Sequence, residues 1–470
     1  MVEEEKNDIT IEYKSKNSLN EEQTKKVWAE LDKMINRSSP YAHDNLKKMV
    51  KEGTQGNIKE FLMKTMKVLI IGAGGLGCDL LKNLAMSGFK DIHIIDMDTI
   101  DTSNLNRQFL FREADVDKPK SHVAAAFVAN RVADVNIVAH NCAIQEYDSE
   151  FYMQFNLVVC GLDSIQARRW INSQLVSIAQ NYEKVIPMID GGTEGFKGQA
   201  RMIIPGHTAC FECTMDLFTP QEEYQLCTLA NIPRQPHHCV AFAKIKLWGE
   251  TTNKKTQDGV LIKDGVDIDS DNSAHIQWLY EVALKRANDY GIKGVTYRFT
   301  QGVIKHIIPA IASTNAIIAS ACTNEALKYA TAMAGLIDNY MTYAGDEGIN
   351  TYTYAPTKKE ECPVCSEDAP PKEIKVNGTM TLRDFMDYLN EEPSLQLKKP
   401  IISFYDDDEN RKIVYDLTTP QYSTITNSQL DKPIQDIFES YEHLYVLDAI
   451  VFADVTLILQ VEFNEVHMSN

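Results

Sequence analysis

The sequence predicts an α/β fold in which an open, doubly wound parallel sheet is followed by a separate, smaller domain. Short apolar runs alternate with helical stretches from about residue 65 to 205, and a glycine-rich turn joins the first such run to a helix. After Pro370-Pro371 the pattern changes to one main helix and several short strands. The length of 470 residues is too great for one hydrophobic core and suggests roughly three domains.

The composition is that of an ordinary globular chain, with 44% apolar and 24% charged residues. A formal net charge of −19 disfavours nucleic acid and anionic membrane as the main partners. The first residues lack the basic start and apolar stretch of a secretory signal, and no apolar run reaches membrane-spanning length. We therefore expect a cytosolic or nuclear protein whose ten cysteines are mostly thiols.

The first part of the chain predicts a polar extension and then a βαβ unit. Residues 1–60 are polar, with helix-like spacing over residues 27–35. The apolar strand Val68–Ile71 is followed by a glycine turn, a helix and a second strand, Ile92–Asp96. Further strands at Leu157–Cys160 and Val185–Asp190 extend the doubly wound pattern.

The periodicity weakens between about residues 210 and 295, and residues 251–273 are polar enough to predict a flexible crossover. A helix of small residues over 316–330 predicts that the first domain resumes there. In the C-terminal part, Thr381 begins a helix with Asp384 in its first turn. The apolar face of this helix and four expected strands follow: Leu382, Phe385, Met386 and Leu389, then Ile401–Tyr405, Lys412–Leu417, His443–Ala449 and Val455–Phe463.

The glycine turn is a candidate phosphate site. Gly72, Gly74, Gly75 and Gly77 form a GxGGxG pattern between a strand and a helix, where backbone N–H groups can bind phosphate. Asp96 ends the next strand, where it can accept hydrogen bonds from ribose hydroxyls. These residues alone suit a dinucleotide and ATP equally.

Polar residues in two later segments favour a triphosphate. Asn104, Arg107 and Gln108 directly follow the Asp96 strand, and Lys120 lies at the start of a helix after Asp117-Lys118-Pro119. Asp163 follows another strand at the same sheet edge, where its carboxylate can hold Mg²⁺.

Two CxxC pairs predict a structural zinc site. Their members are Cys210, Cys213, Cys362 and Cys365, and four thiolates complete a tetrahedral shell. Because 148 residues separate the pairs, their association is an inference. Cys78, Cys142, Cys160 and Cys322 suit core thiols, whereas Cys227 and Cys239 lie in a segment with little helix or strand signal, and either could serve as a nucleophile.

Five motifs occur along the chain in the order GAGGLG, Asp96-x-Asp98, NLNRQFLF, DKPK and CGLD. With these motifs in this order, the chain resembles the ubiquitin-activating superfamily over almost its whole length. The resemblance implies that Asp96 binds ribose, that Asn104, Arg107, Gln108 and Lys120 contact ATP phosphates, and that Asp163 positions magnesium. It also supports structural zinc. The implied architecture is a Rossmann-like adenylation domain, an inserted catalytic-cysteine domain and a C-terminal ubiquitin-like (β-grasp) domain. The corresponding ranges are 1–60 for the extension, 61–209 and 296–371 for adenylation, 210–295 for the cysteine domain, and 372–470 for the domain that recruits the conjugating enzyme.

The same resemblance assigns the chemistry. A Cys-Thr pair followed by Pro-x-x-Pro and His-Cys matches the family with Cys227 as the nucleophile and Cys239 as a packing residue. Arg201 resembles the residue that screens the modifier's C-terminal tail, although a solvated strand charge is the alternative. One glycine fingerprint and half the length of single-chain activators imply a heterodimer with a non-catalytic subunit, acting on a ubiquitin-like modifier. Arg298–Ala310 and the PRQPHHC run are most similar to the neddylation branch, with the sumoylation branch as the nearest rival.

Three other functions explain less of the sequence. An adenylyltransferase of a sulfur-carrier pathway shares the ATP motifs and CxxC pairs but lacks the long insertion and the C-terminal domain. A nicotinamide oxidoreductase leaves Arg107, Lys120 and both CxxC pairs without a function. A non-catalytic scaffold subunit predicts a degraded ATP site and no reactive Cys227, and the sequence has neither feature.

Overall fold

A computed structural model of the chain describes most of its residues. The described ranges are 9–36, 58–218, 233, 236–263, 265–266, 268–269, 272–304, 311–332, 335–337, 340–346, 348–366, 369–392, 395, 397, 399–405, 411–416, 419–438, 443–453 and 455–463. By internal contacts the chain divides into two compact units, one formed by Met1–Phe218 with Ala310–Asn470 and the other by Thr219–Pro309.

The larger sheet of the first unit has nine strands within the described residues, in the order β1-β4-β3-β2-β5-β6-β7-β8-β9. The strands β4, β3, β2, β5 and β6 are parallel to one another, and β1, β7, β8 and β9 are antiparallel to their neighbours. The strand bounds are β1 Thr10–Lys14, β2 Lys67–Ile71, β3 Asp91–Ile95, β4 Asn136–His140, β5 Leu157–Cys160, β6 Met188–Glu194, β7 Lys197–Ile203, β8 Tyr340–Ala344 and β9 Asn350–Tyr354. The predicted doubly wound sheet is confirmed, and the winding direction reverses between β2 and β5.

Helices cover both faces of this sheet. Val68 and Ile70 of β2 belong to one hydrophobic cluster, and the alternate residues Leu69 and Ile71 belong to another. Burial on both faces explains why β2 reads as a continuous apolar run in the sequence. The α-helices of four or more residues in this unit that precede the C-terminal domain are α1 Glu21–Val27, α2 Ala29–Asn36, α3 Gly75–Met86, α4 Lys120–Arg131, α5 Ser149–Tyr152, α6 Ile165–Tyr182 and α10 Ala312–Thr331. A shorter helical stretch, Ile58–Glu60 followed by the π-helix Phe61–Thr65, precedes β2.

Several strands differ from the sequence-based expectation. The strand expected at Val185–Asp190 runs over Met188–Glu194, because Gly191 and Gly192 continue the extended backbone and pair with β7. The polar N-terminal extension contributes β1, whose residues pair with the outer side of β4. The expectation did not include β8 or β9.

The C-terminal part of the first unit forms a five-stranded sheet within the described residues, in the order β10-β14-β13-β11-β12. Thr381 and Asp384 cap α11 reciprocally, each backbone N–H donating to the other side chain at 3.2 Å. The predicted apolar face of α11 is buried, and β11 has the predicted bounds. The elements are β10 Lys372–Val376, α11 Leu382–Glu391, β11 Ile401–Tyr405, β12 Arg411–Tyr415, α12 Pro420–Gln429, α13 Ile434–Phe438, β13 His443–Leu447 and β14 Thr456–Phe463.

The described part of the second unit contains three helices of seven or more residues and a hydrogen-bonded turn. Its helices are α7 Pro236–Phe242, α8 Ser273–Asp289 and α9 Tyr297–Ile304, and the helical path of α7 continues through Ala243–Leu247 and Trp248–Glu250. Within the stretch 251–273, residues 254–262 form a hydrogen-bonded turn, with Thr256 N–H donating to Val260 O at 3.0 Å and Ile262 N–H donating to Lys254 O at 2.9 Å. Among the described residues of the chain, no helix has the length and apolar character needed to cross a membrane.

Candidate functional site

The glycine turn lies at the carboxyl end of β2, beside the point where the winding direction reverses. Gly72 has a φ of +94°, a backbone conformation that residues other than glycine rarely adopt. A Cβ atom on Gly77 would lie 1.9 Å from Gly72 O, and one on Gly72 would lie 2.7 Å from Gly161 O. Gly74 caps α3, which begins at Gly75 and presents the backbone N–H groups of its first turn. The glycines therefore allow a tight turn whose amides suit an anion.

Asp96 follows β3 and holds the glycine turn in place. Its carboxylate accepts hydrogen bonds from the backbone N–H of Ala73 at 2.6 Å and of Asp98 at 2.8 Å. Burial raises the pKa of Asp96 above its ordinary value, and the nearby Lys120 cation opposes that rise. The predicted ribose-binding residue and the predicted phosphate turn are thus adjacent.

Two of the polar residues after β3 border the glycine turn. A Cβ atom on Gly75 would lie 3.6 Å from Arg107 Cγ, and one on Gly74 would lie 3.8 Å from Gln108 Nε2. The Arg107 guanidinium donates to Ser103 O at 3.1 Å, within its own loop. Gln108 is 3% exposed, and its Oε1 has no hydrogen-bond partner among the described residues. Gln108 can therefore accept a hydrogen bond at the turn without losing an existing one.

Asn104 supports this loop from within. Its Oδ1 accepts a hydrogen bond from the backbone N–H of Asp101 at 3.0 Å, which closes the short helical turn Thr102–Asn104. The side chain is buried, so its visible role is to shape the loop that carries Arg107 and Gln108.

Lys120 and Asp163 follow β3 and β5, the two strands that flank β2 in the sheet. Lys120 is the first residue of α4 and is buried, and its Nζ lies 2.7 Å from Asp98 Oδ2. Asp163 is exposed in the loop after β5, one residue before the N-cap Ser164 of α6. The ends of β2, β3 and β5 thus bring the predicted ATP residues to one edge of the sheet.

Sequence reasoning missed two side chains that support this edge. Asn315 of α10 accepts a hydrogen bond from Thr193 Oγ1 at 2.7 Å, and its Nδ2 would lie 2.5 Å from a Cβ atom on Gly75. Arg168 of α6 donates to Asp190 at 2.8 Å and to the carbonyl oxygen of Leu162. Neither residue belongs to a local motif, and Asn315 lies 240 residues after Gly75 in the sequence, so no local signal pointed to either one.

Arg201 is buried rather than solvated. It is 1% exposed, its Nε donates to Asp190 at 3.0 Å, and its Nη1 donates to Thr214 at 2.6 Å. Its guanidinium lies 4.3 Å from the centre of the Phe211 ring. The alternative of a solvated strand charge is wrong, and contact between Arg201 and a modifier tail stays a prediction.

The two CxxC pairs come together. The four sulfurs lie within 4.8 Å of one another, and all four residues are buried. Cys210 Sγ lies 3.6 Å from Cys362 Sγ, and Cys213 Sγ lies 3.5 Å from Cys365 Sγ. A tetrahedral shell with metal–sulfur bonds of about 2.3 Å separates its sulfurs by about 3.8 Å. The donor set and spacing therefore fit one thiophilic metal ion.

Cys227 lies outside the described residues, and its assignment as the nucleophile stays a prediction. Cys239, the other candidate, is fully buried in α7, and burial raises the pKa of its thiol. These properties agree with a packing residue, because a thiol with a raised pKa supplies less thiolate.

Two family models match the chain. Residues 51–364 match the model described as "ThiF family", and residues 375–461 match the model described as "E2 binding domain". The second match coincides with most of the five-stranded sheet, from β10 to β14.

Curated relatives cover most of the chain. The "Nedd8-activating enzyme E1 catalytic subunit" of Drosophila melanogaster is 45% identical over 93% of this chain and 96% of its own length. Its Dictyostelium discoideum counterpart is 46% identical over 87% of this chain and 90% of its own length. "SUMO-activating enzyme subunit 2" of Dictyostelium discoideum is 44% identical, but over 42% of this chain and 29% of its own length.

Among solved structures, "E. coli MccB + ATP" is similar with 17% identity and a TM-score of 0.41, over 74% of this chain and 83% of that chain. A likeness at this level adds nothing to the fold described above.

Proposed function

Because the chain belongs to the ThiF family and, within it, to the NEDD8-activating enzyme E1 catalytic subunits, we propose that it adenylates the C-terminal carboxylate of a NEDD8-type modifier and then captures it as a thioester on Cys227. The observation that supports the first step is the grouping of the glycine turn, Asp96, Gln108 and Lys120 at one edge of the sheet.

In the first step the modifier's carboxylate oxygen attacks the α-phosphorus of ATP. A new oxygen–phosphorus bond forms, the bond to the β-phosphate breaks, and pyrophosphate leaves with the electron pair. The amides of the α3 N-terminus, Arg107 and Lys120 stabilise the charge that moves onto pyrophosphate. Asp96 binds the ribose, Asn104 shapes the loop, and Gln108 offers its unpaired oxygen and its amide to the nucleotide. Asp163 would hold Mg²⁺, which supplies further charge neutralisation.

In the second step the Cys227 thiolate attacks the acyl carbon of the adenylate. The new carbon–sulfur bond replaces the acyl–oxygen bond, and AMP leaves. The thioester then passes to a cysteine of a conjugating enzyme, which the domain at about 372–470 recruits. Arg201 contacts the modifier tail in this proposal; in the structure it is paired with Asp190 and lies over the Phe211 ring.

The four-cysteine site would hold structural zinc. Cys210, Cys213, Cys362 and Cys365 offer the all-thiolate shell that zinc prefers in structural sites. The site ties residues on either side of the segment 214–361 together, so its contribution is to the stability of the fold rather than to the reaction.

The partners and the domain boundaries that we propose are those that the family implies. We propose a heterodimer with a non-catalytic subunit, an adenylation domain built from about 61–209 and 296–371, and a cysteine domain at about 210–295. The nine cysteines within the described residues form no disulfide bonds with one another, which is typical of a reducing compartment such as the cytosol or nucleus.

The decisive experiment replaces Cys227 with Ala in the chain assembled with its partner subunit. We expect modifier-dependent ATP–pyrophosphate exchange to persist and the thiol-sensitive conjugate to disappear. Cys142→Ala removes a buried thiol outside both sites and should leave the conjugate intact. A conjugate that survives Cys227→Ala would move the nucleophile to another cysteine, with Cys239 the first to test. If the unaltered chain with its partner subunit shows no modifier-dependent ATP–pyrophosphate exchange, the proposed adenylation itself is refuted.

A further inference from the structure

Helix α6 presents a buried arginine that touches two distant parts of the first unit at once. Arg169 is 1% exposed, and its Nε and Nη2 donate to the Glu212 carboxylate at 2.9 and 2.7 Å. Its Nη1 donates to Leu395 O at 2.7 Å, and its guanidinium lies 4.5 Å from the centre of the Phe452 ring. Glu212 lies inside the first CxxC pair, whereas Leu395 and Phe452 belong to the E2-binding region.

The next turn of α6 repeats this pattern with neutral groups. Asn172 Oδ1 accepts a hydrogen bond from Phe211 N–H at 2.8 Å, and Ser173 Oγ accepts one from Ala453 N–H at 2.8 Å. Phe211 lies in the first CxxC pair, and Ala453 lies in the E2-binding region. One face of α6 therefore contacts both the Cys210–Cys213 loop and the E2-binding region.

The guanidinium is the strongest of these links. A fork of two N–H groups on one carboxylate fixes the plane of Arg169, and that plane directs Nη1 at Leu395 O and the flat face at Phe452. The orientation of Arg169 thus depends on where Glu212 is held. Cys210 and Cys213 flank Glu212, so the geometry of the cysteine cluster determines that position.

We infer that Arg169 is a positioning residue for the transfer step: it fixes the orientation of the E2-binding domain on the adenylation domain and links that orientation to the Cys210–Cys213 loop. This inference rests on the proposed function for its kinetic consequence. Arg169 touches neither the glycine turn nor any other candidate nucleotide residue, so adenylation does not depend on it directly.

The test compares Arg169→Gln/Glu212→Gln with the unaltered chain, each assembled with its partner subunit. The double variant leaves no unpaired charge in the interior, because two amides can hydrogen-bond to each other, but it removes the charged fork. Arg131→Gln is the matched control, since Arg131 is exposed at the end of α4. Three quantities are measured: hydrogen exchange at the Ala453 amide, modifier-dependent pyrophosphate exchange, and kcat and KM for transfer to the conjugating enzyme.

We expect the double variant to exchange the Ala453 amide about tenfold faster or more, because the domain is released from α6. Transfer kcat should change by about tenfold or more, because orientation controls a step between two bound groups. Pyrophosphate exchange should stay at the level of the unaltered chain. Removing the metal with a chelator should speed Ala453 exchange in the unaltered chain and add little in the double variant, because both changes act on one link.

An unchanged rate of hydrogen exchange at the Ala453 amide in the double variant would overturn the inference. An unchanged kcat for transfer to the conjugating enzyme would also overturn it. A parallel loss of pyrophosphate exchange and transfer would also overturn it, since that result indicates a general folding defect. If the unaltered chain forms no thioester, the proposed function fails separately. Hydrogen exchange at the Ala453 amide still reports on the contact between α6 and the E2-binding region in that case.

Discussion

Lys120 Nζ lies 2.7 Å from Asp98 Oδ2, so the buried cation predicted to face ATP phosphates is paired with a carboxylate of the β3–α4 loop. The Asp98 side chain is 56% exposed, whereas that of Lys120 is 10% exposed. A nucleotide phosphate could replace Asp98 as the partner of Lys120 at small cost, because an ion pair open to solvent on one side contributes little stability.

Replacing Lys120 with Ala should lower modifier-dependent pyrophosphate exchange by about 100-fold, since it removes a donor from the developing charge of the leaving group. The neighbouring Lys118→Ala is the matched control, because Lys118 is largely exposed and pairs with Asp115. Steady-state assays of both variants check the prediction. Equal activity of Lys120→Ala and Lys118→Ala would contradict a role for Lys120 at the phosphates.

Gly77→Ala should abolish nucleotide binding and destabilise the fold. The added methyl group would meet the backbone of Gly72 at 1.9 Å, and a backbone atom cannot move aside as a flexible side chain can. Gly302→Ala in α9 is the control, because a Cβ atom there meets nothing within 4 Å and Ala favours a helix by about 0.5–1 kcal/mol. Thermal unfolding and binding of a fluorescent ATP analogue distinguish the two variants. Wild-type binding by Gly77→Ala would contradict the turn geometry.

Cys362→Ser should remove one bound zinc ion per chain and lower the melting temperature strongly, because structural zinc contributes about 10 kcal/mol or more in small zinc peptides. Cys142→Ser replaces a buried cysteine outside the cluster and should retain the metal. Elemental analysis of the purified proteins, followed by thermal unfolding with and without a strong chelator, makes the comparison. Full stability after verified metal removal would argue against the four-cysteine site.

Two buried histidines predict acid sensitivity. His93 Nδ1 lies 2.9 Å from His140 Nε2, and burial lowers the pKa of His93 to about 3 and that of His140 to about 4. The hydrogen bond needs one neutral ring as acceptor, and two protonated rings cannot form it. Tyr147 Oη lies 2.8 Å from His140 Nδ1, so the pair is enclosed by further polar contacts.

An unfolded histidine has a pKa of about 6.5, so the unfolded chain binds more protons than the folded chain from about pH 6.5 down to about pH 4. The free energy of unfolding should therefore fall as pH is lowered through this range, by up to about 1.4 kcal/mol per pH unit for each histidine. Urea unfolding between pH 7 and 5 measures the slope. His140→Gln should flatten it, and His207→Gln, at an exposed position, should not. An identical slope in His140→Gln would contradict this origin.

Local signals explain what the sequence could predict. Thr381 and Asp384 form the capping box that their spacing suggests, and β2 is a strand buried on both faces, as its apolar run indicates. The glycine turn and Asp96 meet because the carboxyl ends of adjacent parallel strands always share one edge. In each case the interacting residues belong to one element or to one βαβ unit.

Long-range contacts explain what it could not. The strand β9 is exposed along its whole length and carries polar and aromatic residues alternately, so no apolar run distinguishes it from a loop. The burial of Arg201 depends on Asp190, Thr214 and an aromatic ring, all contributed by other segments. Arg169 is likewise paired with Glu212, 43 residues away, and no spacing rule relates the two.

The pairing of β1 with β4 has a practical consequence for shortened versions of the protein. Thr10–Lys14 satisfies the outer backbone groups of Asn136–His140, residue by residue. A truncated chain that starts after Lys14 would offer that row of amides and carbonyls to any passing strand, including the same row of another molecule. Removing this one edge strand could therefore turn a monodisperse preparation into one that aggregates as its concentration rises.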